Sequence, residues 1–308
     1  MGEASIVTLR SQFSVWWRLL RPFTLTASLV PVLIGTGLAV SENQFRPSLF
    51  ICFLLASILI QSATNMFNEY YDYRRGLDDH NMVGIAGTIV RDGVHPKVVL
   101  RLAWLFVALA VLLGVYICAA TSWWVAVVGI LCLCVAYCYS GGPVPLAYTP
   151  FGELAAAVAM GPVIVLLAYY VETGKITGDA FITSIPIGLL IGALLLGNNI
   201  RDMEQDRAGG RRTLVILLGR DAGRILFATV FAITYLIVLV LVILGVLTAW
   251  ELLVLLTVPT AAYVVKQYYR YTEPKQLHPA MKGISVLLLR FGALMFVGFL
   301  CSTFLSFR

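Results

Sequence analysis

The sequence predicts an all-α, polytopic membrane protein, and three observations carry that prediction. The chain is 60% hydrophobic and only 12% charged over 308 residues, a balance that leaves too little polar surface for a soluble domain. Its apolar residues gather into runs of membrane-crossing length. Its basic residues fall almost entirely into alternate connecting segments.

Uncharged runs at 23–40, 48–68, 102–120, 180–200 and 225–244 each suit one helical crossing. The stretch 121–152 is too long for one crossing. It contains SGGPVPLAYTP (Ser140 to Pro150), whose glycines and prolines predict a turn between two helices, the second running from Glu153 to about Val171. An eighth span covers Leu247 to Val265, with Glu251 at its edge. A ninth covers Ile284 to Phe304 and is interrupted by Arg290. A charge inside a span is costly, so Arg290 is expected to face protein or a wet cavity. FSVWWRLL (Phe13 to Leu20) reads as an interfacial helix leading into the first span. Residues 1–21 thus form an N-terminal interfacial segment, and 22–308 form one transmembrane domain.

Nine spans put the termini on opposite sides. With the N-terminus inside, eighteen of the 22 Lys and Arg lie on inner segments; Arg46, Lys175 and Arg308 lie outside, and Arg290 falls within a span. This bias predicts a cytoplasmic N-terminus and an outer C-terminus in a plasma membrane. The net charge of +6 follows from that topology and requires no nucleic-acid partner. The six cysteines sit inside or at the ends of spans without zinc spacing or a paired pattern, and read as apolar packing.

Asn65, Asn68, Glu69 and Asp72 follow an i, i+3, i+4, i+7 spacing at the inner end of the second span, so a continuing helix projects all four from one face. At the end of the sixth span, Asn198, Arg201, Asp202 and Asp206 form a second stripe on the same side. An offset of 133 residues lays Asn65 on Asn198 and Glu69 on Asp202, with Asp72 and Asp206 one residue out of step. An internal duplication would leave such a trace.

Carboxylates gathered at the end of an apolar helix repel one another unless a cation sits between them. Mg²⁺ takes carboxylate oxygens together with substrate phosphates and keeps several waters, so two sparse facing stripes suit a Mg²⁺-diphosphate. The flanking arginines agree. Arg74 and Arg75 follow the first stripe, and AGGRRTL (Ala208 to Leu214) follows the second, offering Arg211 and Arg212 as donors to phosphate oxygens. A substrate with a charged head and a greasy tail fits such a mouth, and a polyprenyl diphosphate has that form. Tyr139 and Tyr148 lie near the mouth, where aromatic faces either stabilise positive charge or belong to the interfacial belt. His80 and His95 flank a segment positioned to cover the site. The rival class is a secondary transporter, whose ion sites lie near the midplane on broken helices, unlike stripes at the inner ends of even-numbered spans.

NMFNEYYDYRRGLD (Asn65 to Asp78) together with NNIRDMEQDRAGGRRTL (Asn198 to Leu214) resembles the two aspartate-rich motifs of the UbiA superfamily of intramembrane prenyltransferases. GIAGTIVRDGVHPK (Gly84 to Lys97) and YSGGPVPLAYTPFGE (Tyr139 to Glu153) resemble the branch that prenylates 1,4-dihydroxy-2-naphthoate in menaquinone synthesis. The resemblance runs from about Arg21 to the last span. It implies nine helices with both motifs cytoplasmic, and Asn68, Asp72, Asp202 and Asp206 as the Mg²⁺-diphosphate residues. It also implies transfer of a polyprenyl group onto an aromatic acceptor. On the naphthoate, the group replaces the carboxyl beside a hydroxyl, releasing carbon dioxide and diphosphate; a 4-hydroxybenzoate-type acceptor is the alternative. The chain departs from the family pattern in having Glu69 where aspartate is usual, and Gly76 where a further aspartate is common, with Asp78 two residues on. Glu69 and Asp78 are therefore candidates for a second metal ligand set. A lysine common in the loop after the fourth span is replaced by Pro143, which leaves Arg75 or Arg211 to supply its charge.

Overall fold

The computed structural model describes residues 14–77 and 87–305. Among these residues, nine apolar helices follow one another with no β-strand: α1 (Thr26–Ser41), α2 (Pro47–Arg74), α3 (Pro96–Ala120), α4 (Trp124–Ser140), α5 (Gly152–Thr173), α6 (Gly178–Ala208), α7 (Arg220–Ile243), α8 (Ala249–Arg270) and α9 (Pro274–Phe304). Seven are long and apolar enough to cross a membrane, while α1 and α4 are shorter at 16 and 17 residues. The predicted turn at Ser140 to Pro150 separates α4 from α5.

Local chemistry sets the boundaries. Pro47 and Pro96 open α2 and α3 at positions where a missing amide hydrogen costs nothing, and His95 caps α3 by accepting from the Lys97 amide. The Thr177 hydroxyl caps α6 by accepting from the Ala180 amide. Gly76 and Gly210, both at positive φ, turn the chain just beyond the two stripes. Within α5, the turn Ala159–Val163 widens to a π-helix around Pro162, which has no amide hydrogen for a regular ladder.

Helix length places the chemistry. At about 1.5 Å per residue, α2 and α6 are roughly 42 and 46 Å long, well beyond the ~30 Å hydrocarbon layer. Their surplus turns carry the stripes. Among the seven longer helices α6 has the most enclosed apolar stretch, packed by Ile187, Leu190 and Ile191 into a core shared with Phe227 of α7, Tyr268 of α8 and Phe291 of α9. A smaller cluster of Leu19, Met66, Phe67, Ile89 and Val99 fixes the helical segment 14–20 and the short helix Thr88–Arg91 against α2 and α3. Trp16 and Trp17 remain exposed on that segment.

Close backbone approach is essential between α5 and α6, because a Cβ on Gly161 would stand 2.4 Å from the Gly188 Cα. Gly161→Ala is expected to cost about 1–3 kcal/mol through overpacking, read as a lower thermal midpoint in detergent; an unchanged midpoint would mean that the helices part freely. Helix α9 begins ten residues before Ile284, so His278 is helical. One expectation needs correction. Arg290 lies exposed on α9 instead of facing protein, where its long stem can carry the guanidinium toward the interface.

Candidate active site

A cavity of about 630 Å³ lies among α1 to α6 and α9, and its lining changes character along its length. Phe53, Ile60, Val111, Ile117, Ile130 and Leu167 line the apolar part. The polar end collects Asn65, Asn68 and Asp72 from α2 with Asn198, Arg201, Asp202 and Asp206 from α6. The two predicted stripes thus meet at one end of one cavity. Arg211 ties them together: one guanidinium nitrogen donates to Asp206 Oδ1 at 2.9 Å and another to both Asp72 carboxylate oxygens at 2.9 Å. All three side chains are mostly enclosed. Burial alone would lower the Arg211 pKa, but the carboxylates of Asp72 and Asp206 raise it beyond the usual arginine range and keep it charged.

The remaining predicted residues divide by what they touch. Asn65 donates to the Leu20 carbonyl and to Thr24, joining the start of α1 to the stripe. Asn68 accepts from Arg21 at 2.9 Å and donates to Asp72 and Ser140. Arg201 forks onto its neighbour Asp202 at 2.7 and 2.5 Å. Tyr139 lines the cavity. Tyr148 stands just outside, its ring flanked by the guanidinium groups of Arg75 and Arg211 at 5.0 and 5.1 Å. Burial, followed by the nearby Asp72 charge, raises the pKa of its hydroxyl.

Three predicted residues take other places, and Asp78 lies outside the described residues. Glu69 is fully buried and does not line the cavity. Its Oε1 accepts from the Thr88 hydroxyl and from the Ile89 amide at 3.1 Å, capping the short helix Thr88–Arg91. The reason is angular: at about 100° per residue, Glu69 stands on the opposite edge of the stripe from Asn68. Glu69→Gln keeps that acceptor, so activity within about tenfold of wild type is expected for a capping role. A loss matching that of an aspartate ligand variant would return Glu69 to the metal. Arg75 donates to the carbonyls of Ser140 at 2.6 Å and Gly142 at 3.1 Å, anchoring the α4–α5 turn. Arg212 is exposed and enters the arrangement through its backbone amide, which donates to the Tyr148 carbonyl.

Sequence reasoning passed over Gln205, Asn199, His278, Lys282 and Ser285, all of which line the cavity. The last three recur at i, i+4, i+7 on α9, a spacing that marks one helical face.

Among the described residues, no three carboxylate, histidine or cysteine groups gather closely enough to bind a metal by themselves. The donor set still fits a hard cation that completes its shell with phosphate and water. Asp72 and Asp206 already converge on one positive centre, the Arg211 guanidinium. The family model for the UbiA prenyltransferase family matches residues 28–304. The chain belongs to the UbiA prenyltransferase family. It is 46% identical over 294 residues to the 1,4-dihydroxy-2-naphthoate octaprenyltransferase of Bacillus subtilis, covering 96% of this chain and 94% of that one. It is 31% identical over 258 residues to human UbiA prenyltransferase domain-containing protein 1, covering 81% and 73%. The UbiA fold is shared with a homolog from Aeropyrum pernix at a TM-score of 0.69 and 16% identity, covering 89% of this chain and 97% of that one. It is also shared with a homolog from Archaeoglobus fulgidus solved with DMAPP and Mg²⁺, at a TM-score of 0.59 and 17% identity, covering 90% and 98%. A UbiA prenyltransferase needs what this cavity combines, a charged mouth and an apolar chamber.

Proposed function

We propose that this enzyme transfers a polyprenyl group from polyprenyl diphosphate to 1,4-dihydroxy-2-naphthoate in a Mg²⁺-dependent reaction that releases carbon dioxide and diphosphate and yields the demethylmenaquinone skeleton. One observation carries the reading. Asp72 and Asp206, from two different helices, converge on a single cation at the polar end of a cavity whose remaining length is apolar. The choice of acceptor is supported by the naphthoate octaprenyltransferase of Bacillus subtilis at 46% identity, and the choice of metal by the fit of the aspartates. The nine helices all cross the plasma membrane, α1 and α4 included, with the stripes at the cytoplasmic face; the distribution of basic residues supports this orientation.

Asp72, Asp202 and Asp206, with the neutral oxygens of Asn68 and Asn198, hold Mg²⁺ and the diphosphate. Bound there, Mg²⁺ neutralises charge that develops on the leaving diphosphate. Arg211, which lies between Asp72 and Asp206, is placed to offer donors to phosphate oxygens, and Arg21 and Arg201 would add positive potential at the same end. The allylic C–O bond breaks with its electron pair going to the diphosphate. Tyr139 offers its ring face to the cation that remains. The acceptor carbon bearing the carboxylate attacks that cation. Its bond to the carboxylate then breaks, the electron pair restores the aromatic ring, and carbon dioxide departs. The apolar lining excludes water that would otherwise hydrolyse the cation.

The test is an acceptor panel with purified protein, a polyprenyl diphosphate and Mg²⁺. Prenylated product is expected from 1,4-dihydroxy-2-naphthoate and not from 4-hydroxybenzoate. Product from hydroxybenzoate alone would overturn the choice of acceptor.

A further inference from the structure

Four cationic side chains line the cavity: Arg21, Arg201, Arg211 and Lys282. Three are already engaged at the polar end. Arg21 donates to Asn68 and lies 4.0 Å from Glu69, Arg201 grips Asp202, and Arg211 bridges Asp72 and Asp206. Lys282 differs from all of them. Among the described residues it forms no ion pair, and its ammonium rests over the ring of Phe23, 5.3 Å from the centroid.

Its neighbours are polar as well. Ser285, 3% exposed, stands one turn along the same face of α9, and His278 one turn the other way. The His278 Nδ1 is enclosed without a hydrogen-bond partner, and the residue lines the cavity. Across from α9, Ser28 of α1 joins the same lining. The cavity therefore has two sides. Helices α3 to α5, with the deeper part of α2, supply a mainly apolar wall suited to an isoprenoid tail, though α2 also lends Ser57, Gln61 and Thr64, while α1 and α9 add Ser28, Ser285, His278 and an ammonium without an ion pair among the described residues.

The reaction brings two anions into this space. The stripes and three arginines serve the diphosphate; nothing among them is left for the carboxylate of an aromatic acceptor. We propose that Lys282, with Ser285 and His278 beside it, binds the acceptor's carboxylate and so selects rings that carry one next to a hydroxyl. This rests on the naphthoate reading above. The ammonium suits the task because it is a mobile point charge on a flexible stem. It orients the carboxylate without the bidentate lock of a guanidinium, and the group must later detach as carbon dioxide.

The test has a kinetic and a binding arm, both on the full-length protein. In Lys282→Gln, KM for 1,4-dihydroxy-2-naphthoate is expected to rise about tenfold or more, the scale of one charge-assisted hydrogen bond. KM for the prenyl diphosphate stays within about twofold, and Lys282→Arg recovers part of the loss. In the binding arm, wild-type protein prefers 1-hydroxy-2-naphthoate to 1-naphthol, and Lys282→Gln loses that preference. An unchanged preference in Lys282→Gln would overturn the assignment, as would a KM change falling on the diphosphate instead. Binding of the two naphthols needs no turnover. Failure of wild-type protein to use the dihydroxynaphthoate would therefore sink the reaction reading, while the naphthol preference separately decides the role of Lys282.

Discussion

Asp72→Asn is expected to lower kcat by at least about 10²-fold, the scale of losing one preorganised electrostatic group in the transition state, while the protein remains folded in the membrane. The substitution keeps the shape of the side chain and removes the charge that pairs with Arg211 and that the proposed metal would share. Asp72 is the α2 residue that meets the α6 stripe across the cavity mouth, with both oxygens 2.9 Å from Arg211 and one accepting from Asn68 at 3.1 Å. The surviving activity should need a higher Mg²⁺ concentration, because one of the anionic ligands has become neutral. A Mg²⁺ titration of turnover checks this, and a wild-type curve would remove Asp72 from the site.

Arg211→Gln carries the second large effect, and it acts in two directions. Without substrate, the loss of the guanidinium leaves Asp72 and Asp206 enclosed and facing each other. Breaking such a buried pair costs about 3–5 kcal/mol, so the thermal midpoint falls. Mg²⁺ should then raise the midpoint of the variant more than that of wild type, since it supplies the missing positive charge between the carboxylates. Turnover should not recover in parallel if, as proposed, Arg211 also serves the diphosphate. Thermal unfolding with and without Mg²⁺, alongside kcat/KM for the diphosphate, separates the two roles. Equal Mg²⁺ shifts in both proteins would show that the carboxylates do not share a cation site.

Much of this architecture was legible because it depends on local pattern. Uncharged runs located each helix, although α2, α3, α6 and α9 extend about six to ten residues beyond their runs into charged turns, and SGGPVPLAYTP divided α4 from α5. The i, i+3, i+4 spacing put Asn68 and Asp72 on one face and Asn198 and Asp202 on another, and both faces reach the cavity. What escaped the sequence was decided by tertiary contact. Glu69 shares the periodicity of the stripe, yet the short helix Thr88–Arg91 packs against its side of α2 and takes its carboxylate as a cap. Arg75 and Arg211 looked alike as motif arginines. The α4–α5 turn claims the first through the Ser140 and Gly142 carbonyls, and the second falls between two carboxylates. The polar face of α9 was hidden because its helix starts before the apolar run does, so His278 and Lys282 read as loop residues. The approach of Gly161 to Gly188 joins residues with no local signal between them.

Prenyl transfer and decarboxylation are expected to be coupled through Mg²⁺ at the meeting point of the two stripes. The most direct measurement supplies 1,4-dihydroxy-2-naphthoate labelled at its carboxyl carbon, a polyprenyl diphosphate and Mg²⁺, and follows released label and diphosphate together. Equal amounts of carbon dioxide and diphosphate, both lost on adding chelator, are the expected result. Diphosphate released without labelled carbon dioxide, or release indifferent to chelator, would contradict it.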